Sequence, residues 1–100
     1  MTNNVFSALG HPLRRQVMDL LRKGPRTSGE LADAFEASWP TVSRHLSVLK
    51  DADLITAERQ GTSIIYRANT SVIEDAAAAL LAMIGRDNGD DDDDMKEAAE

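Results

Sequence analysis

The chain has 100 residues, no cysteine and a formal net charge of −6 at pH 7. This length predicts one domain with a modest core that gains from dimerisation. The lack of cysteine excludes a disulfide scaffold, a thiolate metal site and a thiol redox switch. No apolar run approaches the roughly 18 residues that span a bilayer, and the start has no secretory pattern, so a cytoplasmic protein is the default expectation.

The acidic residues are concentrated at the C-terminal end. Residues 1–86 carry ten Lys and Arg against nine Asp and Glu, whereas residues 87–100 carry one Lys against eight Asp and Glu. We therefore predict a folded domain over 1–86 that is close to neutral, and an acidic, disordered tail over 87–100. A tail that competes with DNA for basic surface is a sharper hypothesis. Calcium binding is not favoured, because the run lacks spaced ligands and a glycine turn.

The first two predicted helices are short and amphipathic. Asn3 or Asn4 is expected to cap the first, and Pro12 takes the first position of the second, where its missing N–H is harmless. His11 is interpreted as a turn residue rather than a ligand or pH switch, because no second His or Cys lies nearby. The spacing predicts inward-facing Val5, Phe6, Leu9, Leu13, Val17, Leu20 and Leu21, and outward-facing Arg14, Arg15, Arg22 and Lys23.

The third predicted helix follows a turn over residues 25–27 and begins with a capping box. Thr27 accepts a hydrogen bond from the helix, and Glu30, three residues later, reaches back to the chain before it. The helix is expected to end near Glu36. Its predicted inward-facing residues are Leu31, Ala34 and Phe35.

Residues 38–50 predict a fourth helix with a DNA-binding face, capped by Ser38. Val42, Leu46 and Leu49 recur at the spacing that lines one side of a helix. The opposite side carries Pro40, Ser43, Arg44 and Ser47. Short side chains allow close approach to a major groove, hydroxyls bond phosphates or bases, and arginine can bond guanine with two N–H groups. The third and fourth helices form a helix-turn-helix. The alternative is an ordinary amphipathic surface helix.

A β-hairpin is predicted next, with strands over residues 54–59 and 63–67 and a turn at Gln60-Gly61. A hairpin directly after such a helix is a wing. Its tip residues can reach phosphate or the adjoining minor groove; they are Arg59, Gln60, Thr62 and Ser63. The alternative is a structural ribbon with an exposed polar tip.

The last predicted helix runs from Val72 to about Gly85, after a capping segment over residues 69–71. It is apolar on more than one face, so a domain of this size cannot cover it completely. We therefore predict that it packs against a second copy of the chain in a symmetric homodimer. The alternative is that it packs only on its own core.

These residues together resemble the ArsR/SmtB family of winged-helix repressors. The matching segments are residues 11–21, 29–32, 40–50, 54–55, 59–61 and 66–67, and the match covers about residues 3–84 in unbroken order. Within this family, the segments at residues 3–6 and 65–70, together with the absence of ligand residues, resemble the SdpR-like autorepressor branch. The resemblance implies a mainly α winged helix-turn-helix with five helices and a two-stranded wing. It also implies a homodimeric repressor that binds an inverted-repeat operator in double-stranded DNA.

The resemblance also assigns residues to two surfaces. It places the first and fifth helices at the dimer interface, for which the candidates are Val5, Phe6, Leu9, Val72, Ile73, Ala76, Leu80, Met83 and Ile84. The implied DNA-binding positions are Trp39, Pro40, Thr41, Ser43, Arg44, His45, Arg59, Gln60, Gly61 and Thr62, to which the residue patterns add Ser47 and Arg67. Trp39 packs either on the DNA backbone or against the core, and the core is slightly favoured. His11 stands where the branch has Asp, which weakens the local cap.

No catalytic set is spaced to suggest a nucleophile, so an enzyme is not expected. No cofactor or metal site is expected either, because the third helix has no Cys and the last has no His. A metal-dependent sensor would need such ligands. Regulation would then come from an unknown small-molecule effector, a partner protein, the tail or autoregulation. The alternative function is a winged-helix protein-interaction module that has lost DNA binding, which the near-neutral fold supports.

Overall fold

The computed structural model describes residues 2–85, which form five helices and three strands. In chain order they are α1 (Thr2–Ala8), α2 (Pro12–Arg22), β1 (Arg26–Thr27), α3 (Ser28–Ala34), α4 (Trp39–Asp51), β2 (Ile55–Gln60), β3 (Ser63–Ala68) and α5 (Thr70–Met83). The contacts divide the described residues into two compact units, residues 2–70 and residues 71–85. The predicted tail over 87–100 lies outside the described residues. Within those residues, no helix has both the length and the apolar character needed to cross a bilayer.

The core of the first unit is built from one side of each helix and the inner residues of the hairpin. Val17 and Leu21 of α2, one turn apart, are buried, and so is Leu31 of α3. Burial of these side chains is the main favourable contribution to the fold. The other buried residues of this unit are Val5, Ala8, Val42, Leu46, Leu49, Ala52, Leu54 and Ile55.

The sheet has three strands rather than the two predicted. β3 lies in the middle, with β2 on one side and β1 on the other. Arg26 and Thr27 pair antiparallel with Tyr66 and Ile65 of β3, so the expectation that residues 25–27 form only a turn is wrong. A two-residue strand carries no periodic pattern of its own, and its partner lies far along the chain. The pairing ties the start of α3 to the base of the wing.

Three other predicted details of the helices are wrong. α1 begins at Thr2, so Asn3 and Asn4 lie inside it rather than capping it. α3 ends at Ala34, which is exposed rather than turned inward. α5 begins at Thr70, two residues before the predicted start at Val72.

Helix α4, the predicted recognition helix, ends in a turn that directs the chain into the wing. The N–H of Asp53 donates to the carbonyl of Lys50 at 2.9 Å, and the N–H of Leu54 donates to the carbonyl of Leu49 at 3.0 Å. This pair of bonds defines a Schellman motif, in which the residue after the cap is usually glycine. Here Asp53 occupies the left-handed conformation with φ 62°. Leu49 and Leu54 are both fully buried beneath the turn.

The second unit presents apolar side chains at the end of α5. Leu80 is 51% exposed, Met83 77% and Ile84 65%. Large apolar residues clustered at a surface are typical of an interaction site. Ala76 is buried, and Val72 and Ile73 are half-buried.

Candidate nucleic-acid interface

The helix-turn-helix is formed by α3 and α4, which residues 35–38 connect. The predicted capping box at the start of α3 is present. The backbone N–H of Glu30 donates to Thr27 Oγ1 at 3.0 Å, and the backbone N–H of Thr27 donates to Glu30 Oε1 at 2.8 Å. These bonds satisfy two backbone N–H groups, that of the N-cap residue Thr27 and that of Glu30 in the first turn. They fix where α3 begins and so where α4 lies after it.

The recognition helix has the two predicted sides. Val42, Leu46 and Leu49 are buried, with 0 to 2% of their surface exposed. Arg44 is exposed on the other side, at the centre of the face that the sequence pattern assigned to DNA. The remaining predicted contact residues of this helix divide into exposed Pro40 and Ser47 and half-buried Thr41, Ser43 and His45.

The start of α4 differs from the expectation in two ways. Ser38 occupies the N-cap position, but its side chain makes no capping bond; its Oγ donates to Thr41 Oγ1 at 3.1 Å instead. Trp39 is 40% exposed, so the core covers only part of it. The ring is therefore partly covered and partly exposed, and which of the two expected placements it takes stays a prediction. The exposed ring lies at the N-terminal end of the helix, where an aromatic surface is available to a partner.

The wing carries exposed polar residues at its tip, as predicted. Gly61 adopts φ 63° in the turn, a conformation that glycine accepts without steric cost. Arg59 pairs with Ile64, and Gln60 with Ser63, at the end of the ladder. All of residues 59–63 are exposed.

Arg67 lies at the base of the wing rather than at its tip, opposite Thr56. Its Nη1 lies 2.7 Å from Glu58 Oε1 in an ion pair. The guanidinium of Arg67 is therefore already paired in the free protein. A DNA phosphate that bonds Arg67 would have to displace the carboxylate of Glu58. Strand alternation puts Arg59 on the opposite face of the hairpin from Arg67.

A cluster of His11, Arg14 and His45 lies beside the recognition helix, and sequence reasoning missed it. The rings of His11 and His45 have centroids 4.3 Å apart, so the expectation that no second His lies near His11 is wrong. Arg14 was predicted to face outward, but it is half-buried and its Nη1 lies 3.0 Å from His45 Nδ1. Burial, and then electrostatic interactions with His11, Arg14 and Arg44, lower the pKa of His45 from its usual 6.5.

His11 also caps α2. Its Nδ1 accepts a hydrogen bond of 3.1 Å from the N–H of Leu13, and Pro12 follows at the first helical position. An imidazole nitrogen therefore does here what a carboxylate oxygen does at other helix starts. The expectation that His11 weakens this cap is not supported.

Among residues 2–85, no group of three or more His, Cys, Asp or Glu lies close enough to hold a metal ion.

The candidate dimer residues differ in how much surface they offer. Val5 and Ala76 are each 6% exposed in the single chain, so they have little surface left for a partner. Phe6 and Leu9 are half-buried. The largest exposed apolar side chains of this set are those at the end of α5, and they remain the strongest candidates for contact with a second copy.

Comparison with known proteins shows which family has these features. A family profile described as "Bacterial regulatory protein, arsR family" matches residues 11–57, which span α2 to the start of the wing. The transcriptional repressor SdpR of Bacillus subtilis is 42% identical over 88 residues, which cover 88% of this chain and 98% of that protein.

Solved structures agree with the sequence comparison. A crystal structure of an ArsR family transcriptional regulator superposes with a TM-score of 0.73 at 33% identity, over 81% of this chain and 82% of that one. The solution structure of a homodimeric winged helix-turn-helix DNA-binding domain from Mycobacterium bovis, a possible ArsR-family regulator, gives a TM-score of 0.68 at 32% identity. It covers 81% of this chain and 76% of its own.

Proposed function

Because the chain belongs to the ArsR family of bacterial regulatory proteins, we propose that it is a sequence-specific DNA-binding transcriptional repressor. It acts as a homodimer on an inverted-repeat operator. The observation that carries the proposal is the exposed side of α4, with Arg44 at its centre, in the same compact unit as a wing with an exposed polar tip.

The geometry supports a steric mechanism of repression. In a two-fold dimer, two recognition helices about 34–36 Å apart enter successive major grooves on one side of the duplex. Arg44 bonds a base edge or a phosphate, and Arg59 places the wing on the backbone. A repressor held across a promoter in this way excludes other proteins from the same DNA.

The dimer is supported by the exposed end of α5. Leu80, Met83 and Ile84 form an apolar surface that a second copy of the same helix covers in an isologous contact. The SdpR relative is named a transcriptional repressor, and the Mycobacterium bovis relative is described as homodimeric and DNA-binding. Both properties are proposed for this chain on that similarity and on its own geometry.

The low net charge does not oppose this function, because electrostatic attraction to DNA depends on local charge. Arg44 and Arg59 lie exposed on the proposed contact surface. Eight of the seventeen acidic residues belong to residues 87–100, beyond the described part of the chain.

The test begins with selection of bound sequences from random duplex DNA by the purified full-length protein. Affinity for the selected duplex is then measured against salt for the wild type, Arg44→Ala and Arg22→Ala. Arg22→Ala is a matched control, because Arg22 is an exposed arginine of α2 that pairs with Asp19 at 3.0 Å. It removes the same charge from a helix that belongs neither to the helix-turn-helix nor to the wing.

Arg44→Ala should weaken binding by about 1–3 kcal/mol and relax one base position if Arg44 bonds guanine. A loss that is uniform across sequences, with a shallower salt dependence, would assign Arg44 to phosphate. The function is wrong if no duplex is retained in dilute salt. Equal binding by Arg44→Ala and Arg22→Ala would instead remove Arg44 from the proposed contact surface.

A further inference from the structure

Arg14 connects the end of α1 to the recognition helix. Its Nε donates to the carbonyl of Ala8, and its Nη2 donates to the carbonyl of Ser7 at 3.4 Å. The last carbonyls of a helix have no partner within that helix, and Arg14 satisfies that of Ala8. The carbonyl of Ser7 also accepts from the N–H of Gly10 at 3.0 Å, so the bond from Arg14 is its second. The third guanidinium nitrogen, Nη1, lies 3.0 Å from Nδ1 of His45 in α4. These contacts are named the Arg14 network below.

The contact between Arg14 and His45 requires one protonation state of the histidine. A guanidinium has N–H donors and no acceptor, so Nδ1 of His45 must accept the hydrogen bond. A protonated imidazole carries N–H groups at both nitrogens and would present a donor and a positive charge to Arg14. The bond therefore exists only while His45 is neutral, with its proton on Nε2.

The groups around His45 favour this neutral state. The principal ones are cationic or can become so: His11 at the cap of α2, Arg14 within α2 and Arg44 on α4 itself. The segment that α1 contributes, Thr2–Ala8, contains no ionisable side chain. Burial and these charges together lower the pKa of His45 below 6.5.

We propose that Arg14 is a positioning residue for DNA recognition, which fixes α4 against the end of α1 through neutral His45 and releases it when His45 binds a proton. This inference rests on the DNA-binding function proposed above. It assigns His45 to the orientation of the recognition helix rather than to direct contact with DNA. The protein then binds its operator more weakly as the medium becomes acidic.

The opposite pH dependence follows if His45 contacts a phosphate, because a protonated imidazole is attracted to it. The sign of the pH effect therefore separates the two roles. Stability changes in the same direction as the proposed DNA affinity. The pKa of His45 is lower in the folded chain than the usual 6.5, so the unfolded chain binds more protons between the two values. The folded state is destabilised as pH falls below about 6.5, and above that pH this loss is absent.

The test measures affinity for the selected duplex by fluorescence anisotropy at about pH 5.5 and about pH 8, on either side of the ordinary histidine pKa. The wild type should bind more weakly at the lower pH, by up to roughly tenfold for each charge-assisted hydrogen bond that protonation removes. His45→Asn keeps an acceptor oxygen on the side of Nδ1 but cannot be protonated. Its pH dependence should be below about twofold, against the larger loss of the wild type.

Two further variants separate charge from geometry. His11→Asn keeps a helix cap and removes the neighbouring titratable ring, so the pH dependence should persist. Arg14→Lys keeps the charge but holds its N–H donors on a single nitrogen, which cannot reach the three acceptors that Nε, Nη1 and Nη2 contact separately. It should bind more weakly at about pH 8 and show a flattened pH profile.

A measurement without DNA tests the Arg14 network independently of the proposed function. The pKa of His45, followed by NMR of its ring protons, should rise towards 6.5 in Arg14→Lys, since the bond that favours neutral imidazole is lost. An unchanged pKa of His45 in Arg14→Lys would overturn the inference. Two results of the DNA-binding test would also overturn it: wild-type affinity that increases as the pH falls, and a His45→Asn variant whose affinity depends on pH as strongly as that of the wild type. Failure to retain any duplex at either pH would refute the proposed function, while the NMR result would still decide the network.

Discussion

We expect the ion pair between Glu58 and Arg67 to limit how available Arg67 is to DNA, and Glu58→Gln tests this. The two side chains lie on the same face of the wing, with Arg67 44% exposed and Glu58 59% exposed. Ion pairs that are exposed to this degree contribute about 0.2–1 kcal/mol. A phosphate can therefore displace Glu58 at a small cost, and glutamine removes that cost while it keeps the shape of the side chain.

The expected gain follows from the number of wings in the dimer. Two wings contribute up to about 2 kcal/mol together, so Glu58→Gln should bind the selected duplex up to roughly 30-fold more tightly at low salt. The gain should shrink as salt increases, because the pair and its competitor are both screened. Fluorescence anisotropy titrations at several salt concentrations measure both effects.

A control is needed because Glu58→Gln also makes each protomer one unit more positive. Asp33→Asn on α3 makes the same change in net charge at another exposed position. In an Arg67→Gln background, Glu58→Gln should have no larger effect than Asp33→Asn. If Glu58→Gln and Asp33→Asn strengthen binding equally in the wild-type background, Arg67 does not contact phosphate, and it should be removed from the proposed DNA surface.

Two stability predictions concern the turns on either side of the helix-turn-helix. The free energy of unfolding is measured with urea at one protein concentration, because the stability of a dimer depends on concentration. Thr27→Ala removes the hydroxyl of the capping box and should cost about 1 kcal/mol, whereas Thr27→Ser should cost much less; equal stability of the two would show that the cap contributes nothing. Asp53→Gly places glycine at φ 62° and should stabilise by up to about 1 kcal/mol, because the left-handed conformation strains residues with a Cβ. Asp53→Ala should destabilise the fold. If Asp53→Ala were as stable as Asp53→Gly, this explanation would be wrong.

The helices and the hairpin could be predicted because short-range interactions determine them. Val42, Leu46 and Leu49 recur at helical spacing, and all three are buried. Thr27 and Glu30 are three residues apart, which is the separation a capping box requires. In each case the residues that interact are close neighbours along the chain, so their spacing alone indicates the structure.

The resemblance to the ArsR/SmtB family, taken from the residue strings, is confirmed by the family profile and by the relatives. It also supplied the winged fold, which the hairpin after α4 confirms. The individual DNA-binding and dimer residues remain predictions, because their partners are a duplex and a second chain. The exposure of each side chain indicates which candidates are available to a partner: Arg44 and Arg59 are exposed, whereas Val5 is buried.

The amino-acid sequence by itself determined the order of the elements, the buried side of the recognition helix and the family. Only the tertiary structure decided that Arg26 and Thr27 form a strand, since their partners Tyr66 and Ile65 are distant in sequence. It alone brought His11 within 4.3 Å of His45 and turned Arg14 inward. Contacts of this kind depend on how helices pack, and no spacing along one helix encodes where a side chain of another helix will lie.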